Sequence, residues 1–92
     1  MTMNHIDGAN QKDLRLYTLS TCIWCKKTKD LLSSLGVGYD YVFVDLLTGK
    51  EREEAIDQVK HYNSSCSFPT LVIGEKCIVG YREKEIKEVL QA

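Results

Sequence analysis

Two of the four cysteines stand three residues apart, in Cys22-Ile23-Trp24-Cys25, and that spacing admits two chemistries: reversible dithiol–disulfide exchange, or one half of a zinc grip. The zinc reading needs a second close pair. Cys66, Cys77, His5 and His61 are the remaining candidates and none of them forms one, so no metal site is expected and the residues favour redox chemistry. Ser20 and Thr21 are helix-capping types, and behind them Cys25, Thr28, Leu31, Leu32 and Leu35 recur at three- and four-residue spacing up to Gly36. This pattern predicts an amphipathic helix with Cys22 at its first turn and Cys25 on its inner face. A sulfur at a helix N-terminus meets unpaired backbone N–H groups and the positive end of the helix dipole, which favours thiolate over thiol. Cys22 is therefore the expected nucleophile. Lys26, one turn on, is expected to help activate it, with Lys27 and Lys29 adding positive charge nearby. Cys25 is the expected resolving thiol, close enough to attack a mixed disulfide at Cys22 yet less open to an outside partner. Trp24 offers either a flat apolar surface beside the sulfur or plain surface packing.

The elements that must position this pair follow from hydrophobic period. Leu14 and Leu16 alternate as strand residues in Leu14-Arg15-Leu16-Tyr17-Thr18, just ahead of the cysteines. Tyr39 to Val44 is β-branched and aromatic, and Tyr41-Val42-Phe43-Val44 is apolar on both faces, as a central parallel strand should be. Ala55, Ile56, Val59 and Tyr62 mark one face of a second helix over 48–62, with Asn63 as its stop. Phe68-Pro69 introduces Thr70–Ile73, and Gly74-Glu75 suits a two-residue hairpin turn into Lys76–Val79. Ile86, Val89 and Leu90 give the last helix its apolar face. The order β-α-β-α-β-β-α predicts an α/β fold with a four-stranded mixed sheet flanked by three helices, its first two strands parallel through a right-handed crossover. Residues 1–13 lack periodicity and are expected to be a flexible tail, leaving 14–92 as the folded domain.

Composition bounds the rest. A chain of 92 residues, 43% hydrophobic and 27% charged, is one folding domain. Lys and Arg total 12 against 13 Asp and Glu, and a net charge of −1 supplies no field to draw in nucleic acid or anionic lipid. No stretch is long enough to span a bilayer, and Met1 to Asp13 lacks the apolar run of a secretory signal, so a monomer in the reducing cytoplasm is expected.

The combination of Cys22-x-x-Cys25 after a first strand, Phe68-Pro69-Thr70 before a hairpin and Gly80-Tyr81 before a final helix resembles the glutaredoxin family, over about Leu14 to Leu90. The resemblance implies a thioredoxin-like fold, a thiol–disulfide oxidoreductase acting on protein or low-molecular-weight mixed disulfides, and a cis Phe68–Pro69 bond whose backbone groups meet the substrate. It further implies a thiol-binding surface made by Trp24, Phe68, Pro69, Gly80, Tyr81 and Glu83. Glutathione or another low-molecular-weight thiol would then be co-substrate, with no cofactor tightly bound.

Three positions depart from the family's usual pattern. Leu19 stands where a cation for the glycyl carboxylate is common. Gly80-Tyr81-Arg82-Glu83 replaces two glycines and an acid, leaving Glu83 to meet the γ-glutamyl end. Ile23 replaces a proline. The Gly-aromatic-Arg run resembles instead the glutaredoxin-like redoxins that serve ribonucleotide reductase and are recharged by thioredoxin reductase. Some family members use the first cysteine and a thiol to hold an iron–sulfur cluster between two chains, which makes a binding module the alternative to an enzyme. Cys66, three residues before Pro69, and Cys77, in an apolar strand, are expected to be packing groups.

Overall fold

The computed structural model describes residues 3–8 and 13–91 of the 92-residue chain. The chain runs β1 (Asn4–Ile6), β2 (Leu14–Thr18), α1 (Ile23–Ser34), β3 (Tyr39–Phe43), a 3₁₀ turn (Val44–Leu46), α2 (Gly49–Tyr62), β4 (Thr70–Ile73), β5 (Lys76–Val79) and α3 (Glu83–Gln91). The strands form one sheet in the order β1-β3-β2-β4-β5. β2 and β3 are parallel across α1, while β2–β4 and β4–β5 are antiparallel, the latter closed by Gly74 with φ +60°.

Strand alternation sorts the core into two layers. Leu14, Leu16, Tyr39, Leu71 and Ile73 face α1 and α3, where they pack with Leu31, Leu32 and Ile86. Tyr17, Val42, Val44 and Val72 face the other way, onto Ala55 and Val59 of α2. A sheet covered on both faces explains why β4 is buried at every position and β2 at every position but Arg15. Ile86 is the fully buried anchor of α3. Ile86→Ala should cost about 2–5 kcal/mol, the usual toll of emptying a buried aliphatic site, seen as a lower denaturant midpoint in urea unfolding with an unchanged slope.

The sheet has five strands where four were expected, and Asn4–Ile6 is the addition, within the segment read as a flexible tail. It lies antiparallel on β3, with His5 opposite Asp40 and its Nδ1 2.7 Å from that carboxylate. Beyond the strand, a Cβ on Gly8 would sit 2.6 Å from the Val37 carbonyl carbon, so only glycine permits that approach. Three residues with a single aliphatic side chain carry no readable period, and their order comes from backbone pairing with a strand 35 positions away. The remaining tail positions, 1, 2 and 9–12, lie outside the described residues. No helix among the described residues is long and apolar enough to cross a membrane.

Candidate functional site

Parallel pairing of β2 and β3 brings their carboxyl ends out on one edge of the sheet, and the chain turns there directly into α1. Cys22 is the N-cap of that helix, with φ −90° and ψ 120°, and its sulfur takes the place a capping oxygen usually fills, accepting from the Cys25 backbone N–H at 3.3 Å. The first turn of α1 contains no acid, whereas α2 has Glu51 and α3 has Glu83 and Glu85 in theirs. The positive end of α1 is therefore left for the sulfur rather than being offset by a carboxylate.

Cys22 is partly exposed and Cys25 fully buried, so an outside partner meets one thiol and not the other. Burial pushes the Cys25 thiol up to about 11, aided by its hydrogen bond with Cys22; the Thr18 side chain and the Leu19 backbone act in the opposite sense. Thr18 alternates onto the α1 face with Leu14 and Leu16. Its hydroxyl oxygen is buried without a geometrically strict hydrogen-bond partner, against the Cys25 sulfur.

Opposite the pair stands Phe68–Pro69, whose peptide bond is cis. Pro69 accepts from the Gly80 N–H at 2.8 Å, which ties the two loops together, and Gly80 adopts φ +83°, a conformation that favours glycine. Trp24, Phe68, Pro69, Gly80 and Tyr81 line one shallow depression of about 300 Å³. Trp24 is 53% exposed and stacks on Tyr81 with ring centroids 6.1 Å apart, while Lys27 places its ammonium 4.7 Å above the indole. On the other side of the sulfur, Thr18, Leu19, Ser20, Cys22, Lys26, Lys29 and Phe43 line a smaller cleft of about 100 Å³. Lys29 is held there over the Tyr41 and Phe43 rings, at 3.9 and 4.8 Å.

Trp24, Phe68, Pro69, Gly80 and Tyr81 thus line one hollow and Cys22 and Lys26 the other, whereas His5 of β1 pairs with Asp40 and His61 packs on Tyr62 in the last turn of α2. Glu83 begins α3, but both its oxygens are engaged: Lys87 donates to one at 2.8 Å and the Tyr81 hydroxyl to the other at 3.1 Å. These bonds hold its carboxyl below the ordinary range, that of Lys87 first. Cys66 and Cys77 pack on the α2 side of the sheet, and the Cys77 thiol donates to the Tyr62 carbonyl at 3.1 Å. Among the described residues no group of three or more His, Cys, Asp or Glu is arranged to hold a metal ion.

Two organising residues escaped sequence reasoning. Asp45, in the 3₁₀ turn after β3, accepts from Ser20 through both carboxylate oxygens. Asn63, expected only to stop α2, donates to Ser67 Oγ at 3.0 Å and accepts from Ser65 Oγ at 2.7 Å, so it shapes the loop leading into Phe68–Pro69. Ser, Asp and Asn in loops announce such bonds in general, but not with which partner.

A thiol pair at the N-terminus of the first core helix, facing a cis-proline loop across the edge of a mixed sheet, defines a redox protein of thioredoxin-like fold. A family model described as Glutaredoxin matches residues 14–78, and the chain belongs to the glutaredoxin family. It is similar in structure to a glutaredoxin of Methanosarcina mazei Go1 (55% identity, TM-score 0.91, covering 98% of this chain and 88% of that one). Methanoredoxin of Methanosarcina acetivorans is 52% identical, with a TM-score of 0.89 over 92% of this chain and 90% of that one. An uncharacterized glutaredoxin-like 8.6 kDa protein from the rubredoxin operon of Clostridium pasteurianum is 33% identical, over 85% of this chain and 97% of its own length.

Proposed function

We propose that the protein is a dithiol oxidoreductase that reduces protein or low-molecular-weight mixed disulfides. The Cys22 thiolate attacks one sulfur of the substrate disulfide R–S–S–R′, forming Cys22–S–S–R and releasing R′S⁻. Cys25 then loses its proton and attacks the Cys22 sulfur, releasing RS⁻ and leaving a Cys22–Cys25 disulfide; two electrons have passed to the substrate. A low-molecular-weight thiol such as glutathione, or thioredoxin reductase, returns them. Trp24, Phe68, Pro69, Gly80 and Tyr81 receive the substrate chain, and Lys26 supports the thiolate of Cys22. The reading implies a reducing cytoplasm, where the pair is restored after each cycle, and a chain acting as a monomer.

The observation that carries this reading is the asymmetry of the pair: Cys22 reachable at the helix cap, Cys25 buried beneath it with its thiol pushed up to about 11. The test is turnover of a small mixed disulfide and of a protein disulfide, coupled in separate assays to glutathione with its reductase and to thioredoxin reductase. Turnover is expected with at least one system. Because Glu83 is tied to Lys87 and Tyr81, and Leu19 offers no cation, the glutathione arm should be the weaker. Absence of turnover in both arms, and with dithiothreitol in their place, would sink the proposal.

A further inference from the structure

The turn that delivers Cys22 has little to hold it from within. Its closing backbone bond, from the Cys22 N–H to the Leu19 carbonyl, is long at 3.5 Å, and Ser20 and Thr21 between them are exposed. What grips the turn comes from 25 residues away. Ser20 N–H donates to Asp45 Oδ1 at 2.9 Å and Ser20 Oγ–H donates to Asp45 Oδ2 at 2.5 Å, so one carboxylate takes the backbone and the side chain of the same residue. Hydrogen bonds to a charged acceptor are the stronger kind, and a two-point grip also fixes orientation. The parallel pairing of β2 with β3 makes the grip possible, because the 3₁₀ turn at Val44–Leu46 leaves the sheet at the same edge as Leu19–Cys22.

We infer that Asp45 is a positioning residue for the attacking thiol, holding the Leu19–Cys22 turn so that the Cys22 sulfur stays on the helix N-terminus. The inference rests on Cys22 being the thiol that attacks. Asp45 acts through geometry and not through its charge: its two bonds to Ser20 fix the turn, while a negative charge gives an attacking thiolate no help. Arg52 of α2 also faces Asp45 and moderates that charge. The two contributions separate by substitution. Asp45→Asn removes the charge and keeps an oxygen for the Ser20 N–H and an amide for its hydroxyl. Asp45→Ala removes both, and Ser20→Ala removes only the hydroxyl bond.

The measurement is the second-order rate of Cys22 alkylation by iodoacetamide at neutral pH, read by mass spectrometry beside thermal unfolding of each variant. Asp45→Ala should slow alkylation about tenfold or more, the kinetic equivalent of losing a hydrogen bond to a charged group. Ser20→Ala should fall between Asp45→Ala and wild type, and Asp45→Asn should equal or exceed wild type. Asp45→Ala reacting as fast as wild type, or Asp45→Asn as slow as Asp45→Ala, would overturn the inference. Alkylation needs no disulfide substrate or reductase, so this result stands apart from whether the protein turns over in the coupled assays.

Discussion

Cys22→Ser should reduce turnover of every disulfide substrate to the uncatalysed background while leaving the fold intact. No other thiol can take over the first attack: Cys25 is buried on the inner face of α1, and Cys66 and Cys77 pack on the opposite face of the sheet. The local structure is indifferent to the change for a particular reason. Cys22 caps α1 with its side chain, accepting from the Cys25 N–H, and serine is among the best residues for that task. The variant should therefore unfold within about 0.5 kcal/mol of wild type, or slightly later, in a denaturant titration. Activity and stability so separated would tie the loss to the sulfur itself. Residual turnover in Cys22→Ser, with the protein folded, would mean that another cysteine carries the chemistry.

That this residue could be chosen from sequence reflects how local its determinants are. A strand ending at Thr18, capping types at Ser20 and Thr21, and a helical period from Cys25 onward all lie within a dozen residues of Cys22, and local period is what sequence displays. The sheet's two-sided core was legible for the same reason, since Leu14 and Leu16 alternate and Tyr41-Val42-Phe43-Val44 is apolar on both faces. The hairpin announced itself by Gly74, and Phe68-Pro69 by its place ahead of a strand.

What escaped depends on partners distant in sequence. Asn4–Ile6 becomes a strand because β3 offers a free edge to it, and His5 finds Asp40 only once that pairing exists. Asp45 and Ser20 are ordinary loop residues until parallel strands deliver them to one edge. Thr18 reads as a strand residue, and nothing in its neighbourhood reveals that its hydroxyl ends up buried against Cys25. Glu83 is the converse case: the sequence shows an acid ahead of the last helix, but not that Lys87, one helical turn on, and the Tyr81 hydroxyl engage both its oxygens.

Cys25→Ser should split the reaction rather than stop it. Cys22 can still attack, so a protein disulfide will be opened once and then held as a stable mixed disulfide at Cys22, visible as a covalent adduct by mass spectrometry. Continued cycling on a small mixed disulfide would then depend on an external thiol finishing the exchange. The physical basis is the burial of Cys25, which makes it poor at attacking anything but the sulfur above it. With its thiol pushed up to about 11, chiefly by burial, only a small fraction is thiolate at neutral pH.

The same property gives a pH signature. In the Cys22→Ser protein, Cys25 should resist alkylation at pH 7 and become reactive only as the pH rises well past the ordinary thiol value of 9.0, because desolvation persists after its bond to Cys22 is gone. Folding should respond in step. The native state holds the Cys25 proton more tightly than the unfolded chain, so this contribution to stability is complete below about 9 and is lost as the pH climbs through about 11. A Cys25 alkylated as readily as Cys22 at pH 7 in the folded wild-type protein would contradict the burial on which the two roles depend. Equal trapping of substrate by Cys22→Ser and Cys25→Ser would do the same, since each assigned thiol would then be able to replace the other.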